Sequence, residues 1–104
     1  MGKNINHLLK QAQKMQSKMT GLQKELEQRE METSSGGGMV KIKINGKQEI
    51  LDLKINPECV DPSDVEMLEE LVKTGVNQAI NESQEMVSNA MSKITGGLSI
   101  PGLF

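Results

Sequence analysis

The chain has 104 residues, a net charge of -2 and a single aromatic residue, Phe104. That length suits one domain of modest size, residues 1–104. The near-absence of aromatic side chains excludes the base-stacking platforms of single-strand binders.

Any core must be built from Ile, Leu, Val, Met and Ala, and eight methionines make it adaptable. A lone cysteine, Cys59, has no partner for an internal disulfide, which fits a reducing cytosol. No apolar run approaches the ~20 residues of a membrane span. The N-terminus lacks a signal-like apolar segment, so a soluble cytoplasmic protein is expected. The small net charge hides a strong polarity. Residues 1–24 hold five lysines and no acid, whereas residues 58–85 hold eight acids and one lysine, Lys73. Opposite local fields are therefore expected at different places, and net charge does not exclude an anionic partner.

The first predicted element is a helix from Asn4 to about Gln28. Leu8, Ala12, Met15, Met19, Leu22 and Leu26 alternate spacings of 4 and 3 and share one stripe. Asn4 and Asn6 are candidate caps. Gly21 is a local weakness worth ~1 kcal/mol against alanine. A helix of about 36 Å outreaches the core this chain can build alone, which suggests pairing with another helix. REMETSS, Arg29 to Ser35, gives a weak strand signal with Met31 and Thr33 on one face. Gly36-Gly37-Gly38 reads as a flexible break.

Met39–Asn45 and Gln48–Ile55 form the clearest strand pair. Val40, Ile42 and Ile44 share one parity, and Leu51, Leu53 and Ile55 share the other. With Gly46-Lys47 as a two-residue type II′ turn, Ile42 opposes Leu51 and Lys41 opposes Asp52. With Asn45-Gly46 as the turn, the pairs shift by two residues. A three-residue loop flips one strand and buries Asp52, so it is rejected. Asn56-Pro57 ends the third strand. Asp61 is the predicted N-cap of the last helix, with Pro62 at N1 and Asp64 at N3. That helix is expected to run to about Thr95 and stop at Gly96-Gly97. The tail 96–104 is apolar but broken by Pro101 and Gly102, and is expected to dock or to be partly mobile. The fold class is α+β, in the order α-β-β-β-α, with a small antiparallel sheet between two long helices. Its helices carry more apolar length than three short strands can cover, so a homo-oligomer is expected.

Little supports catalysis. His7 is the only histidine and reads as a surface helix residue; Cys59 reads as a small apolar one. Together they cannot make a structural zinc site of the usual kind, so no metal and no cofactor is expected. The glycine run lacks the lysine-hydroxyl pair of a phosphate-binding loop. Asp64, Glu66, Glu69 and Glu70 read as capping, dipole and solubility residues. The basic residues are more informative. Lys10, Lys14 and Lys18 are four apart, and His7 extends their line. Like charges at that spacing cost ~0.2–0.5 kcal/mol per pair. Such a row suits duplex phosphates, and it also suits a solvated helix face. Lys41 and Lys43, on the polar side of the sheet, equally suit protection against edge aggregation.

The whole chain resembles the YbaB/EbfC family of nucleoid-associated proteins. NHLLKQAQKMQSKM is similar to that family's first helix, and GGGMVKIKINGKQEI to its glycine break and central strands. LKINPE, DVEMLEELVKTGVNQAINESQE and the tail MSKITGGLSIPGLF follow in the family's order. The resemblance implies an intertwined or tweezer-like homodimer that binds double-stranded DNA without enzymatic activity. It also implies association with the nucleoid and an influence on DNA shape and gene expression. Lys10, Lys14 and Lys18 are then the leading DNA-contact candidates. His7, Lys3 and Lys24 are secondary, with Lys41 and Lys43 adding background attraction. The competing expectation is an adaptor for repair or replication machinery, using the acidic segment and the apolar tail.

Overall fold

A computed structural model describes residues 2–96, and side chains over 5–93. Its element order is α1 (Gly2–Gln28), β1 (Glu30–Ser35), β2 (Val40–Asn45), β3 (Ile50–Ile55), a 3-10 turn (Pro57–Cys59) and α2 (Val65–Gly96). The predicted order therefore holds. The sheet is antiparallel in the order β1-β2-β3. α2 lies across β1 and β2.

Alternation in β2 buries Val40, Ile42 and Ile44 completely against Ala79 of α2. Met31 of β1 and Leu71, Val72, Val76 and Ile80 of α2 pack around them. Each fully buried aliphatic side chain contributes about 1.5–3 kcal/mol. Gly75 lets α2 approach this closely. A Cβ there would stand 2.9 Å from Ile42 Cδ1 and 3.1 Å from Ser35 Oγ. Two hydroxyls pin α2 to strand ends: Ser35 Oγ donates to the Leu71 carbonyl at 2.7 Å, and Ser83 Oγ to the Asn45 carbonyl at 2.7 Å.

Neither two-residue turn forms between β2 and β3. The loop has three residues, Gly46 to Gln48, closed by Asn45 N–H donating to the Glu49 carbonyl at 3.2 Å. Such a loop alone would invert β3. A bulge at Leu51 restores the parity, so that Lys43 faces Asp52, Ile42 faces Leu53 and Val40 faces Ile55. Asp52 stays exposed. Gln48, with φ 64°, takes the left-handed position expected of Gly46. Gly46 is needed for a different reason, since a side chain there would collide with the Leu26 carbonyl. Asn45 organises the turn: its Oδ1 accepts from the N–H groups of Lys47 (2.9 Å) and Glu49 (3.1 Å).

Helix starts also differ from expectation. α1 begins at Gly2, so Asn4 and Asn6 lie inside it rather than at its start. α2 is capped by Asp64, whose Oδ1 accepts from Met67 N–H at 3.3 Å. Asp61 closes the preceding turn instead, accepting from both the backbone N–H and the hydroxyl of Ser63. The Ser63 hydroxyl, then its N–H, hold the Asp61 carboxyl below the usual aspartate range. Cys59 is buried, and its thiol donates to the Asn56 carbonyl at 3.1 Å. The tail beyond Gly96 lies outside the described residues.

The glycine break is a defined turn. Gly36, Gly37 and Gly38 all have positive φ, at 61°, 68° and 93°. Gly37 faces open space, so any cost of a methyl there comes from the backbone alone. Gly37→Ala is expected to destabilise by about 1–2 kcal/mol. Gly21→Ala, equally open but helical, is expected to stabilise by up to about 1 kcal/mol. Urea unfolding midpoints of the two variants should therefore move in opposite directions.

Candidate functional site

α1 is 27 residues long, about 40 Å at the helical rise. Only its C-terminal half meets the body. Leu26 is fully buried, and Leu22, Met19 and Met15 are half-buried, which confirms the stripe predicted for that half. From Ile5 to Lys14 every residue is exposed. Leu8, on the same stripe, is 62% exposed. The helix therefore projects, and the molecule measures 76 × 24 × 16 Å. Its radius of gyration is 20.5 Å, against about 13 Å for a compact chain of this length.

Five basic positions run along α1. At 100° per residue, His7, Lys10, Lys14, Lys18 and Lys24 fall within a sector of about 120°, opposite the apolar stripe. All five are exposed. No ion pair involves these lysines among the described residues. Lys3 lies in the first turn of α1, and its side chain is outside the described residues.

The flank of this row is polar. Lys10, Gln13, Lys14, Ser17 and Lys18 line one shallow groove. Gln13 and Ser17 also line the next, with Gln16, Thr20, Gly21 and Lys24. These amides and hydroxyls were not singled out from the sequence. Their signal was position: Gln13 and Ser17 stand three residues after Lys10 and Lys14. Amide and hydroxyl groups complement lysines wherever phosphates are held.

The sheet lysines form a separate group on the face away from α2. Lys43 stands between Glu32 and Asp52 in the ladder and lies 3.9 Å from Glu30 Oε1. Its charge is locally balanced. Lys41 faces Ser34 on one side and Lys54 on the other, and has no acidic partner among the described residues. Other lysines are matched with acids: Lys47 lies 4.0 Å from Glu27 and Lys73 lies 3.1 Å from Glu70. Such exposed pairs contribute at most about 1 kcal/mol each.

Among the described residues no group of three or more His, Cys, Asp and Glu is placed to hold a metal ion. No described helix is long and apolar enough to cross a membrane. His7 and Cys59 lie on different elements, one exposed and one buried, and make no nucleophile–base pair.

The lysine row opposes the stability of its own helix. Lys14→Glu turns two repulsive i,i+4 pairs into attractive ones, and is expected to stabilise the projecting part of α1 by about 1 kcal/mol at low salt. Amide hydrogen exchange over residues 8–20 should slow accordingly, and the gain should vanish in 1 M salt, where the Debye length is about 3 Å.

Residues 1–98 match the YbaB/EbfC DNA-binding family. The chain is 57% identical over 104 residues to a nucleoid-associated protein of Desulforamulus reducens, covering all of this chain and 99% of the relative. It is 53% identical over 103 residues to a nucleoid-associated protein of Clostridium novyi, covering 99% and 90% of the two chains. The fold is similar to the crystal structure of the uncharacterized protein HP0035 from Helicobacter pylori. The TM-score is 0.71 at 23% identity, over 85% of this chain and 92% of that one.

Proposed function

The chain belongs to the YbaB/EbfC DNA-binding family, and from that premise we propose that it binds duplex DNA through α1, as a homodimer, with little sequence specificity. The carrying observation is the uncompensated row of Lys10, Lys14 and Lys18 on the exposed side of a helix whose N-terminal half stands clear of the body. A row of cations spaced about 6 Å along the helix axis meets phosphates without reading bases. Arg29 is the only arginine in the chain. It lies 3.4 Å from Glu25, away from the lysine row, so bidentate guanine readout has no obvious agent.

Binding of this kind contributes to nucleoid organisation and DNA conformation, in the cytoplasm where the nucleoid lies. The relatives' description as nucleoid-associated proteins supports the same reading. A homodimer suits the unpaired β3 edge and its exposed Ile50, Leu51 and Leu53. Two projecting helices then present two cation rows to one duplex. The acids of the α2 N-terminal half repel a misplaced backbone and favour that seat. No observation favours the adaptor reading.

Replacing Lys10, Lys14 and Lys18 together with glutamine removes six phosphate contacts per dimer, if each makes one. The slope of log affinity against log salt should then fall by about 5. Lys73→Gln should leave that slope unchanged. An unchanged slope in the triple variant, with association state intact, would contradict the assignment.

A further inference from the structure

The projecting part of α1 carries an exposed apolar face. Ile5, Leu8 and Leu9 are 57%, 62% and 56% exposed. With Ala12 they fall within a sector of about 100°, in line with the stripe of Met15, Met19, Leu22 and Leu26. The lysine row lies on the other side of the helix.

This face is bare because α2 stops short of it. α2 is bonded through Leu71 to Ser35 and through Ser83 to Asn45, which lie at opposite ends of the β1–β2 ladder. Beyond Ser83, α2 therefore leaves the sheet at the end where α1 arrives. The two helices run antiparallel and touch there, with Met86, Val87, Ala90 and Met91 of α2 half-buried. Leu26 abuts Gly46, beside the Asn45 that Ser83 holds, so Leu26 and Ser83 are level. From Ser83 to Gly96, α2 extends about 20 Å. From Leu26 out to Ile5, α1 extends about 32 Å. α2 thus ends level with about Gln13, and the bare apolar face begins where it stops.

We propose that residues 97–104 of the same chain dock on this face, across Ile5, Leu8 and Leu9. The segment GLSIPGLF holds Leu98, Ile100, Leu103 and Phe104 and no charged side chain. It starts beside the face, where α2 ends. Eight extended residues reach about 26 Å, about twice the distance to be covered. Running on from α2, the segment sets Leu98 near Leu9 and Ile100 near Ile5. Pro101-Gly102 is a turn pair that brings Leu103 and Phe104 back beside Ile100. A tether this short gives the tail a high effective concentration at the face, an advantage that an apolar segment of another molecule lacks. Docked there, the tail braces the tip of α1 from the side opposite Lys10 and Lys14 and leaves both lysines free. It offsets the like-charge repulsion within the row, whether or not DNA is bound.

Amide hydrogen exchange of the full chain without DNA tests the contact. Replacing Leu98, Ile100, Leu103 and Phe104 together with serine should speed exchange over residues 6–12 by about tenfold or more, with β2 unchanged. Disulfide trapping in the chain carrying Cys59→Ser identifies the occupant. Ile5→Cys with Ile100→Cys should close a bond within one chain, which keeps the monomer mass on a denaturing gel. Lys10→Cys with Ile100→Cys, on the opposite side of α1, should not. Unchanged exchange in the serine variant, or no preference for Ile5→Cys over Lys10→Cys, would overturn the docking. Bonds formed only between two chains would give the face to a second copy's tail and overturn the contact within one chain.

Discussion

The structure depends on one junction, where the β2–β3 turn meets both helices. The Asn45 carbonyl accepts from Ser83 Oγ at 2.7 Å and from Gln48 N–H at 3.0 Å. Its side chain accepts from two further N–H groups of the turn and donates to Glu49 Oε1 at 3.0 Å. Next to it, the bare backbone of Gly46 admits the Leu26 carbonyl, at the end of α1. Leu26 and Ser83 are both fully buried. Turn, α1 and α2 are thus referred to a few atoms, and the direction in which α1 leaves the body is set there. A change at Gly46 acts on the projecting helix without touching a lysine.

Charge is then arranged by segregation. The sheet face balances itself, with Lys43 between Glu32 and Asp52. α2 carries acids in its N-terminal half, and the helix dipole favours Glu66 in its first turn. α1 carries cations with no acid before Glu25, and lacks an acid in its first turn. That arrangement lowers the stability of an exposed helix. A protein of net charge -2 can in this way present a cationic surface to a polyanion.

Periodicity made the architecture legible. Leu8 to Leu26 marked α1, and Val40, Ile42 and Ile44 marked the buried parity of β2. What it could not supply were events that cancel in the pattern. The three-residue turn and the Leu51 bulge each shift parity by one, and together they leave the alternation that a two-residue turn would leave. Asp61 and Asp64 are both good caps by type, and the choice rests on which carboxylate reaches Met67 N–H. Gly75 and Ser83 sit among the apolar positions of α2, and their roles emerge only once Ile42 and Asn45 are placed against them. Of the site, the lysine row was visible from spacing alone. The difference between Lys41 and Lys43 was not, because it depends on cross-strand neighbours from β1 and β3.

In the proposed complex duplex DNA lies against the lysine row of α1. Lysine acylation read by mass spectrometry, with and without a DNA duplex, tests it most directly. Lys10, Lys14 and Lys18 should lose reactivity when DNA is added, while Lys43 and Lys73 react as before. Protection of Lys41 and Lys54 with the α1 lysines still reactive would contradict it, and would move the DNA to the face of the sheet.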